Sequence, residues 1–227
     1  QIDRLVSGGM EQEEALYKVL KETIIASQNI RFEGDGYSED WKDEAARRGL
    51  TNICHVPEAI MKFNDPQSRS VLIGEKIFNE NELNCRIEVE LEKFTKKVQI
   101  ESRVLGDLAI NHIVPTAVIY QNRLLENLRG LKEIFSTEEY EEMTADRKDL
   151  VREIQRRILS IKEAVRNMTE ARKVANHLGS QVEKAFSYEE KVRPYLEEIR
   201  EHIDSLELEI DDEIWPLPKY RELLFTK

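Results

Sequence analysis

Apolar side chains recur every three or four residues through the stretch 81–135, which is the dominant pattern of the chain. The apolar positions are Leu83, Ile87, Leu91, Phe94, Val98, Leu105, Leu108, Ile119, Leu124 and Leu128, and the polar His112 and Thr116 keep the same spacing. This spacing places the side chains on one face of a single amphipathic helix. At about 1.5 Å per residue the helix would be about 80 Å long, so we expect other helices to lie along it.

Pro115 stands in the middle of this predicted helix. Proline lacks a backbone N–H, and its ring crowds the carbonyl four residues earlier, which here belongs to Asn111. The sequence therefore predicts a kink near residues 110–114, at a cost of about 3 kcal/mol that packing must offset. Asn111 and His112 lie where backbone groups become free. They indicate either a polar site at the kink or side chains that satisfy those groups.

Two later stretches keep the same rhythm and predict two more long helices. Their apolar positions are Leu150, Ile154, Ile158, Ile161, Val165, Met168 and Ala175 in the first, and Val192, Tyr195, Ile199, Ile203, Leu206 and Ile210 in the second. The first helix is expected to begin at Thr137 or Thr144 and to end near Leu178. Because short turns join the three long helices, they must run antiparallel, and the predicted fold class is all-α.

The last long helix is predicted to begin near Pro194, because proline favours the first turn of a helix. Ser187 and Glu190 resemble a capping box just before it. The chain then ends in a segment with two prolines and the aromatic residues Trp215, Tyr220 and Phe225, which need burial. This segment is either a clasp that folds back on the bundle or a docking tail for another subunit.

Shorter helices are predicted on the N-terminal side, at 11–27, at 39–48 with Ser38 as its cap, and as two short helices within 51–78. We expect four parts of the chain. Residues 1–30 are helices that leave a preceding domain, and 31–79 form a turn-rich subregion. Residues 80–210 form the long antiparallel bundle, and 211–227 form the C-terminal clasp.

Charge and composition exclude several function classes. Of 227 residues 35% are charged, and the net charge is −11, which disfavours nucleic acid and an anionic membrane surface as partners. No apolar run approaches the roughly 20 residues of a membrane helix. The chain begins at Gln1 inside a predicted helix, so we expect a piece of a longer protein.

The two cysteines do not predict a site. Cys54 and Cys85 lie far apart without a CxxC spacing, which disfavours both a structural zinc site and a disulfide framework. We expect two buried or half-buried thiols in a reducing compartment.

The remaining candidates for chemistry are weak. None of the four histidines follows a glutamate at the three-residue spacing of a di-iron bundle site, and Glu198 with His202 is a lone pair one turn apart. Gly34 and Gly36 lack the third glycine of a dinucleotide-binding loop, so a plain turn is expected there. We therefore predict no catalytic, cofactor-binding or metal-binding residue in this segment.

Three stretches resemble type III glutamine synthetases and follow the same order along the chain. They are 32–50, which contains Phe-Glu-Gly-Asp-Gly-Tyr-Ser-Glu-Asp-Trp; 91–121, which contains Leu-Glu-Lys-Phe-Thr-Lys-Lys-Val-Gln-Ile-Glu and Ile-Val-Pro-Thr-Ala-Val-Ile-Tyr-Gln; and 206–225, which contains Trp-Pro-Leu-Pro-Lys-Tyr-Arg-Glu-Leu-Leu-Phe. The resemblance covers nearly the whole chain, but only the C-terminal part of such a subunit.

The resemblance implies a large cytoplasmic enzyme that joins ammonia to glutamate with ATP and Mg²⁺ or Mn²⁺, assembled as a dodecamer of two hexameric rings. The family's metal-binding glutamates and substrate-binding arginines belong to the catalytic domain, and no stretch here matches their motifs. The expected partners are therefore that catalytic domain and neighbouring subunits. We expect this segment to be inactive alone and to support structure and assembly. Alternatives are a stand-alone helical interaction module and a catalytic bundle with an unrecognised site.

Overall fold

The computed structural model describes residues 1–224 of the chain, and every regular element within them is helical. The predicted all-α fold class is therefore confirmed. The chain divides into two compact units, which are residues 1–54 and the residues from 55 onward. Among the described residues, no helix is both long enough and apolar enough to cross a membrane.

The first unit contains three α-helices and one short 3₁₀ turn. The bounds are α1 Ile2–Ser7, α2 Gln12–Ala26, the 3₁₀ turn Gln28–Ile30 and α3 Glu39–Arg47. As predicted, Ser38 caps α3, because its hydroxyl accepts a hydrogen bond from the backbone N–H of Trp41. Gly49 follows α3 with φ of 71°, a left-handed conformation that glycine adopts without strain.

The second unit begins with short elements that pack on the start of the long helix. They are α4 Val56–Met61, a 3₁₀ turn Lys62–Asn64 and α5 Pro66–Gly74. Pro66 takes the first position of α5, and Pro57 takes the second position of α4, where it is buried. Asp65 directly precedes α5, but its side chain makes no capping hydrogen bond.

The long helix predicted from the apolar pattern extends over 55 residues. It consists of α6 Glu80–Leu108, a first π-helical segment Ala109–Ile113 and α7 Val114–Ile134. Asn79 is the N-cap of this helix. The Asn79 side chain accepts from the N–H of Glu82, and the Glu82 carboxylate accepts from the N–H of Asn79, which forms a capping box.

Two further long elements complete the bundle. The first is α8 Thr137–Asn176, which begins with a second capping box formed by Ser136 and Glu139. The second consists of α9 Gln181–Ser187 and α10 Arg193–Glu209, which a second π-helical segment, Tyr188–Val192, joins. Hydrogen bonds from Gln121 to the Val151 carbonyl and from Gln99 to Asn176 show the antiparallel register of the long helix and α8.

The regular helix α10 begins at Arg193, as Pro194 predicts, and the proline takes its second position. The helical path extends further back than predicted, through the second π-helical segment to α9, which begins at Gln181, where the Ser180 side chain accepts from the N–H of Glu183. Ser187 lies inside the helix, so it does not form the predicted capping box. The physical reason is that the second π-helical segment precedes Pro194, so the helix continues past a residue that cannot donate a backbone hydrogen bond.

The first π-helical segment stands in the same place relative to Pro115. Each segment occupies the positions from six to two residues before its proline. A π-helical turn widens the helix where the proline ring would crowd a carbonyl. The disturbance that Pro115 predicts near residues 110–114 therefore takes the form of a π-helical segment within a continuous helix.

One large apolar core runs through the seams of the bundle. Its fully or nearly fully buried members are Val98, Ala109, Ile113, Ala117, Ile154, Ile158, Ile161, Ala164, Met168, Ala175, Tyr188, Val192, Ile199, Ile203, Leu206, Ile210 and Trp215. A smaller cluster of Leu83, Ile87, Leu91 and Ala185 joins the start of α6 to α9, α4 and α5. The predicted apolar stripes therefore supply most of the core.

The segment after α10 folds back onto the bundle as far as Lys219. Trp215 is buried in the main core, and Ile214 and Leu217 pack beside it. The Lys219 ammonium donates to the Glu207 carbonyl at 2.7 Å, which ties the segment to the end of α10. The short helix α11 Tyr220–Leu223 follows, and Phe225 lies outside the described residues.

Candidate interaction surface

The helix α2 carries a row of apolar side chains that the structure leaves exposed. Leu16, Leu20 and Ile24 are 43%, 51% and 50% exposed, and Tyr17 and Ile25 are more exposed still. Two further apolar residues follow the same helical spacing: Ala15 is buried and Val19 is half-buried. The residues therefore form the expected amphipathic face, but most of that face has no cover.

The elements on either side of α2 carry exposed apolar side chains too. Val6 of α1 and Ile30 of the following 3₁₀ turn are exposed, at 39% and 66%. An amphipathic helix gains most of its stability when its apolar face is covered, and large exposed apolar patches mark interaction sites. We call the surface formed by Leu16, Tyr17, Leu20 and Ile24 on one side of this helix the α2 face.

The loop before α3 is a turn held by its own side chains. Asp35 accepts a hydrogen bond from the N–H of Tyr37 through its carboxylate, and its carbonyl accepts from the Ser38 hydroxyl. A Cβ on Gly34 would lie 2.5 Å from the ring of Phe32, which itself packs on Trp41. The glycine is therefore explained by the close approach of an aromatic ring.

Asn111 and His112 lie exposed on the first π-helical segment. The Asn111 amide donates to the carboxylate of Asp107, and the His112 carbonyl accepts from the hydroxyl of Thr116 at 2.9 Å. The sequence analysis missed this role of Thr116, which is a short-range side-chain bond one turn after the affected carbonyl.

Within the part of the chain that the structure describes, no hydrogen bond or ion pair joins Glu198 to His202. Glu198 is exposed, whereas His202 is half-buried, and its ring nitrogen lies 3.5 Å from the Arg157 guanidinium. Among the described residues, no group of three His, Cys, Asp or Glu side chains is placed to hold a metal ion.

The expectation of buried or half-buried cysteines was wrong, because both thiols are exposed. Cys85 lies two residues from Leu83 and from Ile87, which places it on the opposite side of α6 from those buried residues. There it lines an open groove with Ile77, Phe78 and Val89.

A buried carboxylate that the sequence analysis missed ties the short elements to the last helix. Glu189 is 6% exposed, and its Oε1 atom accepts from Arg193 at 2.7 Å and lies 2.8 Å from Nδ1 of His55. Its Oε2 atom has no hydrogen-bond partner among the described residues. The location of Glu189 in a π-helical segment explains why helical periodicity did not predict its burial.

A second missed group is a polar network around Tyr188. This phenol is fully buried, and its hydroxyl donates to Asn176 Oδ1 at 2.8 Å and accepts from Gln99 Nε2 at 3.2 Å. Burial raises the pKa of Tyr188, and the hydrogen bond from Gln99 opposes that rise. The network therefore holds a neutral phenol where α6, α8 and the second π-helical segment meet.

Comparison with known proteins identifies the family of this helical chain. The sequence profile of the glutamine synthetase C-terminal domain matches residues 15–132, just over half of the chain. The chain therefore belongs to the glutamine synthetase C-terminal domain family.

Particular relatives narrow this assignment. The chain is 74% identical to a glutamine synthetase of Bacteroides fragilis over 226 residues, which cover 100% of the chain and 31% of that relative. It is 28% identical to the type-3 glutamine synthetase of Dictyostelium discoideum, over 94% of the chain and 29% of that protein. A glutamine synthetase of Butyrivibrio fibrisolvens is 27% identical over 96% of the chain. The chain thus spans about a third of the length of these relatives.

Proposed function

We propose that this chain is the C-terminal helical part of a type III glutamine synthetase and that it supports the structure and assembly of the enzyme. The parent enzyme would ligate ammonia to glutamate with ATP, in the cytoplasm, as the family resemblance implies. The relatives that share this segment are glutamine synthetases about three times its length. In this proposal, catalysis and the binding of ATP and of Mg²⁺ or Mn²⁺ belong to the rest of the parent protein.

The observation that carries the structural role is the uncovered α2 face. Leu16, Leu20 and Ile24 are each about half exposed, on one side of a helix whose other contacts lie within a small N-terminal unit. A catalytic domain preceding this segment would supply an apolar partner for that face. In this proposal α1 and α2 brace the catalytic domain.

The long bundle supplies the assembly role in the same proposal. Its core is continuous and well filled, so it can act as a rigid element that holds contacts between subunits. The exposed apolar residues Ile100, Val104 and Leu159 on its outside are candidates for such contacts. A dodecamer of two hexameric rings is the assembly that the family resemblance implies.

The experiment that tests this function is a deletion in the Bacteroides fragilis relative. The segment that matches residues 37–227 is removed, and the variant is compared with the intact enzyme by analytical ultracentrifugation and by a glutamine synthetase assay. Leu208→Ser, at a side chain that is 86% exposed, is a matched full-length control. We expect the deletion to disturb folding or ring assembly, whereas intact and fully active rings would contradict the proposal.

A stand-alone helical interaction module is the second candidate, and one groove favours it. Ile77, Phe78 and Val89 line an open groove of about 740 Å³ along the start of α6. An amphipathic helix of a partner could lay its apolar face there. The intact mass of the natural polypeptide separates the two functions, because a mass near 26.6 kDa supports the module and a mass several times larger supports the enzyme segment.

A further inference from the structure

The side of α6 that points away from the core carries exposed apolar residues between charged ones. Val89 and Ile100 are 39% and 62% exposed, and the thiol of Cys85 is exposed one turn before Val89. Leu91, two residues after Val89, is almost fully buried, so Val89 itself points away from the core. We call this exposed side the outer side of α6, and it consists of Glu82, Cys85, Val89, Lys93, Lys96 and Ile100.

The residues of the outer side are arranged symmetrically about Val89. An α-helix turns about 100° per residue, so positions four, seven and eleven residues from Val89, in either direction, lie within about 40° of it. The three pairs at these distances are Cys85 and Lys93, Glu82 and Lys96, and Phe78 and Ile100. Phe78 lies just before α6, but it lines the same open groove as Cys85 and Val89.

This symmetry matches a second copy of the same helix that runs in the antiparallel direction. If a two-fold axis passes Val89, each residue before Val89 faces the residue at the same distance after it in the other copy. Glu82 then faces Lys96 of the second copy, so opposite charges meet. Phe78 faces Ile100 of the second copy, so an exposed apolar side chain enters the open groove. Each contact occurs twice, because a two-fold interface repeats its contacts.

The charges of the outer side disfavour a parallel pair of the same helices. In a parallel pair each residue faces its own counterpart, so Glu82, Lys93 and Lys96 would each meet a like charge, which is unfavourable. In the antiparallel pair Lys93 faces Cys85 instead, whose small side chain leaves room for the lysine. The outer side therefore favours an antiparallel partner over a parallel one.

The charged residues can make these contacts without losing the bonds that they already have. The Lys96 ammonium lies 2.6 Å from the Glu92 carboxylate, and the Glu82 carboxylate accepts from the backbone N–H of Asn79. An ammonium group has three N–H donors, and a carboxylate can accept several hydrogen bonds. Lys96 and Glu82 therefore keep capacity for one further bond across the interface.

We propose that the outer side of α6 binds a second copy of this chain in the antiparallel direction, with the two-fold axis at Val89. This inference rests on the assembly role proposed above, and it names the surface and the partner of one subunit contact. The substitutions below leave the remainder of the chain intact. The interface and the assembly role can therefore fail separately.

Sedimentation of the 227-residue chain over a concentration series tests the proposal, and we expect the wild type to dimerise. Glu82→Lys and Lys96→Glu each place like charges opposite each other twice. Each variant alone should therefore dimerise at least about tenfold more weakly than the wild type. An equimolar mixture of the two variants should regain dimerisation, because every facing pair in the mixed dimer again joins opposite charges.

Recovery in the mixture separates a lost contact from a folding defect. Glu82→Lys also removes the capping box at the start of α6, but mixing with another chain cannot repair a helix start. Lys173→Glu is the matched control, since Lys173 is exposed like Lys96 and pairs with Glu170 one turn away on α8. This control should leave the dissociation constant of the dimer unchanged.

Cross-linking tests the position of the two-fold axis. In a chain with Cys54 and Cys85 replaced by serine, Val89→Cys should form a disulfide-linked dimer on mild oxidation, because its two copies meet at the axis. Ile100→Cys is the matched control, since about 22 residues of helix, or about 33 Å, separate its two copies in the proposed pair. It should not cross-link, although Ile100 is more exposed than Val89.

Three results would overturn the interface in the isolated chain. They are a wild type that stays monomeric, a mixture of the charge variants that does not regain dimerisation, and cross-linking of Ile100→Cys as efficient as that of Val89→Cys. A monomeric wild type, together with a deletion that disrupts the rings of the parent, would overturn this interface and leave the assembly role in place.

Maleimide labelling of Cys85 in the intact parent protein distinguishes another occupant of the groove. The proposal predicts that the thiol is protected in the wild type and that Glu82→Lys or Lys96→Glu exposes it. If the thiol stays protected in both variants, another part of the parent covers the groove and the proposal is wrong. A thiol that is labelled freely in the wild-type parent would contradict it as well.

Discussion

The most informative perturbation removes apolar side chains from the α2 face. Leu20 and Ile24 are replaced together by serine, in the isolated chain and in the intact parent protein. Both side chains are about half exposed in this structure, at 51% and 50%. The lysines at 18 and 21 lie on the same helix and are exposed, so their double replacement by serine is the matched control for helix propensity.

The expected magnitude follows from the buried area. Full burial of a leucine or isoleucine side chain contributes about 1.5–3 kcal/mol, so half-burial contributes about 1 kcal/mol each. In the isolated chain, Leu20→Ser with Ile24→Ser should therefore destabilise α2 by about 2 kcal/mol beyond the lysine control. If the parent protein covers the exposed half of each of these two side chains, the double variant should lower its free energy of unfolding by about 2 kcal/mol more than that of the isolated chain.

Urea unfolding followed by circular dichroism measures the cost in both proteins. We expect the leucine and isoleucine double variant to lower the free energy of unfolding more in the parent than in the isolated chain. The lysine control should lower it equally in both proteins. An equal loss for the leucine and isoleucine variant in the two proteins would refute the inference that the parent covers the α2 face.

Three further substitutions test the local physics of the bundle. Asn79→Ala should lower the free energy of unfolding in urea by about 1 kcal/mol because it removes the capping box, whereas Asn81→Ala, two residues further on and outside the capping box, should cost much less. Gly106→Ala should raise stability by about 0.5–1 kcal/mol, since a Cβ there meets its neighbours at an ordinary 3.5 Å and alanine favours helix. Hydrogen bonds from the Ser136 hydroxyl and N–H lower the pKa of Glu139. Its ionised form therefore stabilises the fold above the carboxyl's unfolded pKa of about 4.3, and this contribution is lost as pH falls through the folded value. Glu139→Gln should accordingly lower the melting temperature at pH 7 and flatten its decline below pH 5.

The long helices could be predicted from the sequence because their apolar spacing and their caps are local signals. The step pattern from Leu83 to Leu128 predicts the 55-residue helix, and Ser38 marks a helix start by a hydrogen bond within three residues. Such signals do not depend on the rest of the fold.

The π-helical segments could not be predicted in the same way. An analysis of apolar spacing assumes about 3.6 residues per turn throughout a helix. Each π-helical segment has a wider turn, so different sequence positions point toward the core after it. The burial of Tyr188 and Glu189, and the continuation of the helical path upstream of α10, were missed for this reason. The position of each segment, directly before Pro115 and Pro194, is the signal that was available.

The exposure of the α2 face was outside the reach of sequence reasoning for a different reason. The spacing of Leu16, Leu20 and Ile24 predicts an apolar face correctly, but it does not state whether the covering partner lies within the chain. The three-dimensional structure adds that the described residues leave this face about half uncovered.

Amide hydrogen exchange of α2 tests the central claim most directly. Exchange is measured for residues 12–26 in the isolated chain and in the intact parent protein, with residues 154–168 of α8 as the internal reference. The account predicts that protection of α2 rises strongly in the parent, because the rest of the protein covers its apolar face, while the reference exchanges alike in both. Equal exchange of α2 in the two proteins would contradict the claim that this chain braces the remainder of a glutamine synthetase.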